Sequence, residues 1–177
     1  MPNTKKEKMI ILGASGSGKD FLLRELVKKS LRYSPKFTTR PRRSLEREGI
    51  DYNYINNDKF LTMKDKGEVK VYQSFPIGNE IWYYGITKEN FNDNQVFIMT
   101  PHELSQLSEI DRAGIFIVYL DIPEDVRRKR ISNRSDNNDS VERRIRADEL
   151  DFEGFNTYDL KITDPEFDAD SLYELMD

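Results

Sequence analysis

Apolar residues fall along this chain in two patterns. Short unbroken runs, Met9 to Leu12, Val96 to Met99 and Ile115 to Leu120, are flanked by polar segments, which is how strands buried on both faces of a parallel sheet read. Leu160 to Ile162 is a fourth candidate. After Gly13 and Asp20, the residues Phe21, Leu22, Leu23, Leu26 and Val27 recur at helical spacing, so strand, glycine loop and helix follow one another. Segments 123–133, 139–153 and 169–176 are rich in helix formers, with Pro123 and Ser140 placed where helices begin. Strands alternating with helices predict an α/β layer fold with right-handed crossovers, built on a parallel sheet expected to have five strands. The middle of the chain differs. Asp51 to Ile55, Glu68 to Ser74 and Glu80 to Ile86 are aromatic and β-branched, which predicts an antiparallel insertion with a turn at Pro76 to Asn79.

At 177 residues the chain has the size of one domain, and 34% charged with 37% hydrophobic residues is an ordinary globular balance. No apolar run approaches the roughly 18 residues of a membrane span, so neither a span nor a secretory signal is expected. The absence of cysteine excludes a disulfide framework, a thiol nucleophile and a thiolate metal site, and the single His102 excludes a multi-histidine cage. His102 is expected to be structural or incidental. A reducing, cytoplasmic setting fits this composition. Net charge of -4 argues against bulk binding of nucleic acid.

Gly13-Ala14-Ser15-Gly16-Ser17-Gly18-Lys19 matches G-x-x-x-x-G-K directly between a predicted strand and a predicted helix. Glycines let the backbone curl so that N–H groups point inward, the helix amino end adds partial positive charge, and Lys19 reaches the β and γ phosphates of a nucleotide. Gly13, Ser15, Gly16, Ser17, Gly18, Lys19 and Asp20 are therefore the expected ATP-binding set. Asp20 stands where Ser or Thr normally holds Mg²⁺. A carboxylate is a hard ligand for that ion, acting directly or through water.

Downstream runs Thr38-Thr39-Arg40-Pro41-Arg42-Arg43-Ser44-Leu45-Glu46, then Gly49-Ile50-Asp51-Tyr52. Alone, three arginines around a proline read as a solvated basic loop. With the phosphate loop upstream and Tyr83-Tyr84-Gly85 downstream, the chain over nearly its whole length resembles guanylate kinase, whose pattern continues T-T-R-x-P-R-x-G-E-x-x-G-x-D-Y and Y-Y-G. Pro41 comes one place early and Leu45 replaces a glycine. A phosphate loop ending in G-K-D also resembles that of ribose 1,5-bisphosphate phosphokinase.

The resemblance to guanylate kinase implies a P-loop α/β core (9–33, 93–126 and 148–177), an inserted antiparallel lobe for the nucleoside monophosphate at about 34–92 and a short helical lid at about 127–147. It implies that Arg40, Arg43, Tyr52 and Tyr84 hold the acceptor phosphate, and that Arg130, Arg134 and Arg144 join Lys19 at the transferring phosphoryl group. The neighbouring Arg127, Arg128 and Arg146 are expected on a solvated helix face. Family members read guanine with a hydroxyl before T-T-R, a glutamate in the middle strand, a hydroxyl after Y-Y-G and an acid on the next core strand. Here those positions hold Lys36, Val71, Ile86 and Met99 or Thr100. The implied activity is Mg²⁺-dependent transfer from ATP to GMP or dGMP by a monomer or homodimer. The alternatives are another dNMP or ribose 1,5-bisphosphate as acceptor, or a non-catalytic domain of the same shape that binds a phosphopeptide.

Overall fold

The computed structural model describes residues 6–133 and 140–176. In chain order the elements are β1 (Lys8–Gly13), α1 (Lys19–Lys28), β2 (Phe37–Thr38), β3 (Asn53–Tyr54), α2 (Asn57–Asp65), β4 (Val69–Ile77), β5 (Glu80–Thr87), α3 (Lys88–Asp93), β6 (Val96–Ile98), α4 (Pro101–Ser105), α5 (Glu109–Ala113), β7 (Ile115–Leu120), α6 (Glu124–Ser132), α7 (Val141–Asp151), β8 (Leu160–Ile162) and α8 (Ala169–Glu174).

The apolar runs form a parallel sheet in the order β6-β1-β7-β8. Successive residues of the central β1 point to opposite faces. Met9 and Ile11 face Leu22 and Leu26 of α1 and Leu172 of α8, whereas Ile10 and Leu12 face Phe91, Phe97 and Leu104. Two buried clusters on one sheet make three layers. Leu22 and Leu26 are fully buried, and each side chain contributes roughly 1.5–3 kcal/mol.

Four parallel strands stand among the described residues where five were expected. The stretch after α1 runs beside β6 without a ladder: Arg32 O accepts from both Gln95 N and Val96 N.

A second sheet, β3-β2-β5-β4, comes from the middle of the chain and is mixed. β4 and β5 form the expected antiparallel hairpin, but β3 lies parallel to β2, with Phe37 opposite Asn53. The hairpin loop is only Gly78-Asn79, since Ile77 already pairs with Glu80. Pro76, expected in the turn, is in the strand. β4 is an edge strand, where a residue without an N–H is tolerated. Gly85 is dictated by packing, because a Cβ there would stand 3.0 Å from the Phe60 ring and 3.2 Å from Val71 O. Val71 and Ile86, cross-strand partners at the base of this sheet, complete the cluster that includes Phe97 and Met99, so the sheets share a core.

Helices α4 and α5 each begin with a reciprocal capping box, Thr100 with Glu103 and Ser108 with Asp111. Pro123 and Ser140 cap α6 and α7 as expected, Ser140 Oγ accepting from Arg143 N.

Candidate active site

The carboxyl ends of β1, β6 and β7 lie side by side, the edge at which open parallel sheets collect ligands. The glycine loop leaves β1 at this edge and ends on Gly18, the N-cap of α1. Gly16 takes φ +76°, and a Cβ on it would lie 2.8 Å from Arg127 O on α6, so the loop is pressed against that helix. Lys19 Nζ folds back to donate to Gly13 O at 2.6 Å and Ala14 O at 3.1 Å. Ser17 Oγ is buried and has no hydrogen-bond partner among the described residues. A glycine loop running into the amino end of α1 fits a polyphosphate, and the exposed carboxylate of Asp20 in the first turn of that helix fits its Mg²⁺. No group of three or more potential metal-ligating side chains exists among the described residues. A hard cation here would therefore take most of its ligands from phosphate and water.

The lid arginines are placed unequally. Arg130 reaches the loop, donating from Nη1 to Gly16 O and from Nη2 to Pro165 O, both at 3.1 Å. Arg144 is half-buried in the first turn of α7, one helical turn before Asp148. Arg134 lies outside the described residues. Arg127 is not on a solvated face: its side chain is 11% exposed and bonds Ile122 O, 3.8 Å from the Asp148 carboxylate. Arg128 forms exposed ion pairs with Glu124 and Glu142, and Arg146 is exposed. His102 is exposed; its backbone carbonyl accepts from Ser105 Oγ and Gln106 Nε2.

A cavity of about 240 Å³ opens between the two sheets, and Asp20, Lys36, Tyr52, Tyr84 and Ile86 all line it. Asp20 also lines a second depression, beside Gly16, Gly18 and Arg130. Asp20 is thus common to the walls of both spaces. Arg40 is 5% exposed and donates from Nε to Tyr84 OH (3.1 Å), from Nη1 to Pro41 O (2.9 Å) and from Nη2 to Glu46 Oε1 (2.6 Å). Its guanidinium lies 5.4 Å from the Tyr52 ring. Burial is the largest single influence and acts to lower the Arg40 pKa, but the bonds and charges of Glu46 and Tyr84 together outweigh it and raise it above the ordinary value. Burial likewise pushes Glu46 up, and the Arg40, Arg43 N–H and Tyr54 OH bonds together carry it down to about 2. Glu46 thus fixes the arginine as a permanent cation. Burial is the largest cause raising the Tyr52 and Tyr33 phenols, Tyr33 to about 12, so both are hydrogen-bond donors. Arg43 is exposed; its backbone N–H donates to Glu46 Oε2 at 2.9 Å. Val71 is buried behind the cavity wall, opposite Ile86.

Several side chains at this site were not singled out from the sequence. Glu103 of α4, fully buried, accepts Lys36 Nζ on both oxygens, at 2.7 and 2.6 Å. Removing Lys36 would strand the buried Glu103 charge, at a cost of about 3–5 kcal/mol. Gln73 Oε1 accepts from Thr100 Oγ1 at 2.8 Å. Asp148 reaches the loop at Ser15 N. The signals available were weak: Thr100-Pro101-His102-Glu103 spells a capping box, and an aspartate within a charged helix reads as solvated.

The family model described as guanylate kinase matches residues 5–176. Among curated relatives, the guanylate kinase of Geobacter metallireducens is 32% identical over 167 residues, covering 89% of this chain and 80% of its own. That of Anaplasma phagocytophilum is 24% identical over 171 residues, covering 90% and 80%. The crystal structure of the Anaplasma phagocytophilum enzyme superposes with a TM-score of 0.66 at 16% identity, covering 96% of this chain and 82% of that one. No helix among the described residues is long and apolar enough to cross a membrane.

Proposed function

The chain belongs to the guanylate kinase family, a family of ATP- and Mg²⁺-dependent phosphotransferases, and from that premise we propose that it transfers the γ-phosphoryl group of ATP to a nucleoside monophosphate, with GMP and dGMP the first acceptors to try. One observation carries the reading. Asp20 lines both the depression beside the phosphate loop and the cavity walled by Tyr52 and Tyr84, so a nucleotide on the loop and a monophosphate in the cavity face each other across it.

In this reading the loop N–H groups and Lys19 hold the donor phosphates, while Arg40, Arg43, Tyr52 and Tyr84 hold the acceptor phosphate against like-charge repulsion. An acceptor oxygen attacks the γ-phosphorus in line as the bond to the β–γ bridging oxygen breaks, giving ADP and a nucleoside diphosphate. The nucleophile is already an oxyanion, so no general base is required. Catalysis is alignment plus charge neutralisation by Lys19, Arg130, Arg144 and Arg134. Asp20 would hold Mg²⁺, directly or through water, and the ion would neutralise charge on the donor phosphates. Segments 34–92 and 127–147 act as the acceptor lobe and lid, closing on substrate to exclude water.

The test is ADP formation from ATP and Mg²⁺ with a panel of ribo- and deoxyribonucleoside monophosphates and ribose 1,5-bisphosphate, for the wild type and Lys19→Ala. A monophosphate-dependent rate that falls by at least about 10²-fold in Lys19→Ala, with unchanged circular dichroism, supports the mechanism. An unaffected rate in that variant refutes it.

A further inference from the structure

At the far end of β1 from the phosphate loop, a cavity of about 540 Å³ opens between the carboxyl end of α1 and the starts of β1 and β6. Phosphoryl transfer makes no use of it. Lys6, Lys8, Lys29 and Arg32 line it against a single carboxylate, Glu7, in a chain whose net charge is -4. Lys29 pairs with Asp170. The other three cations rest on backbone carbonyls: Lys6 Nζ on Ile115 O at 2.8 Å, Lys8 Nζ on Asn94 O at 2.7 Å and Asn92 O at 3.1 Å, and Arg32 Nε on Asp93 O at 2.7 Å. None of these three makes an ion pair among the described residues, and the Nη hydrogens of Arg32 are unused there. Lys8 Nζ also stands 5.4 Å from the Phe91 ring centroid and 5.8 Å from that of Phe97. Burial and then the Arg32 charge lower the Lys8 pKa, against the opposing charges of Glu7 and Asp93. Two like charges are thus held near each other by groups that do not neutralise them.

The backbone supplies a second, independent observation. Ser30 N donates to Val27 O and Leu31 N to Leu26 O, which closes α1 with Ser30 at the left-handed position that glycine usually fills. Ser30 has φ +73° and is the only non-glycine residue with positive φ among the described residues. It is exposed and lines the cavity, and its hydroxyl makes no hydrogen bond among the described residues. Glycine would relieve this strain, so the serine places a free hydroxyl at the cavity at the expense of stability. The same closure satisfies two carbonyls of the helix end whose partial charge would oppose an anion.

We propose that this cavity is a second anion site, which takes the phosphates of a polyphosphate through Arg32, Lys8, Lys6 and the Ser30 hydroxyl. The Arg32 fork and the two ammonium groups meet the charge, and the hydroxyl donates to a phosphate oxygen. The site lies the length of α1, about 15 Å, from Lys19. Its ligand therefore binds without displacing a nucleotide from the phosphate loop.

Amide NMR of the full chain, titrated with sodium pyrophosphate free of Mg²⁺ at constant ionic strength, tests this and separates the cavity from the phosphate loop. The N–H signals of Leu31 and Gln95 should follow one saturable curve, distinct from that of Gly16 and Gly18. Arg32 is exposed, so Arg32→Gln should stay folded. In that variant the Kd of the Leu31 curve should rise at least about 10-fold while the loop curve stays within about 2-fold. Ser30→Gly should raise Tm and yet weaken the Leu31 curve about 3-fold. A parallel titration with ATP distinguishes the sources of the polyphosphate. Half-saturation of the Leu31 signal at least about 10-fold below that for pyrophosphate assigns the site to a nucleotide, and weaker binding assigns it to a free polyphosphate; both uphold the site. Absence of a saturable shift at Leu31 and Gln95, or a Leu31 curve unchanged in Arg32→Gln or in Ser30→Gly, would overturn the proposal.

Discussion

Asp148 of α7 accepts a hydrogen bond from Ser15 N of the phosphate loop at 2.9 Å through Oδ2, and its Oδ1 takes the Ser15 hydroxyl at 3.3 Å. A side-chain carboxylate therefore occupies a loop N–H of the kind that meets phosphate in a nucleotide-bound loop. A nucleotide that uses this N–H must displace Asp148, and a carboxylate remaining nearby repels the incoming charge. Asp148→Ala should bind ATP about 3- to 10-fold more tightly, roughly 0.7–1.4 kcal/mol, as read by calorimetry without Mg²⁺. Unchanged or weaker binding would mean that the contact supports the loop instead of competing for it.

Gly16 joins a positive φ to close contact with α6. Gly16→Ala must either strain its backbone or push Arg127 away, at a cost on the order of 1–3 kcal/mol. Thermal unfolding should show a clear fall in Tm, together with loss of nucleotide binding. A Tm equal to that of wild type would show that the loop relaxes freely.

Glu46 titrates at about 2 in the folded chain against an ordinary 4.5, its burial outweighed by the Arg40, Arg43 N–H and Tyr54 bonds. A lowered folded pKa contributes stability that is complete above the unfolded value and is lost as pH falls through the folded one. Wild-type stability should therefore decline between about pH 4.5 and pH 2 with a component that Glu46→Gln lacks. Parallel urea titrations at pH 5, 4 and 3 read this directly. Identical pH slopes in the two proteins would remove Glu46 as the anchor of Arg40.

Arg43 is exposed, whereas Arg40 is buried with three of its N–H groups engaged. Arg43→Ala should leave the fold intact and chiefly raise the acceptor KM, because it removes binding shared by ground and transition states. Steady-state kinetics with varied GMP at saturating ATP would separate this from an equal fall in kcat and kcat/KM, which would place Arg43 at the transition state instead.

The parallel strands and the glycine loop were legible in the sequence because a strand buried on both faces is a continuous apolar run, and because the G-x-x-x-x-G-K spacing encodes a backbone shape. β2 was not, since two residues carry no periodicity; β3 falls within the expected strand Asp51 to Ile55, but its parallel pairing with β2 depends on a long connection. Pro76 was assigned to a turn because proline breaks ladders in general; on the edge strand β4 its missing N–H costs little. The ion pair of Lys36 and Glu103 joins residues 67 apart. Lys36 could be noticed as an odd residue before Thr38-Thr39-Arg40, but only the fold brings a carboxylate to it. Arg127 illustrates the same limit: a basic run reads as solvated until the packing of α6 against Gly16 turns one member inward.

The central claim is that the γ-phosphoryl group of ATP passes to a nucleoside monophosphate. Phosphorus NMR of the wild-type protein with ATP, Mg²⁺ and GMP follows every phosphate at once. The account predicts that ADP and GDP accumulate in equal amounts at the expense of ATP and GMP, with no inorganic phosphate. Release of inorganic phosphate with GMP unchanged, or an unaltered spectrum although ATP is bound, would contradict it.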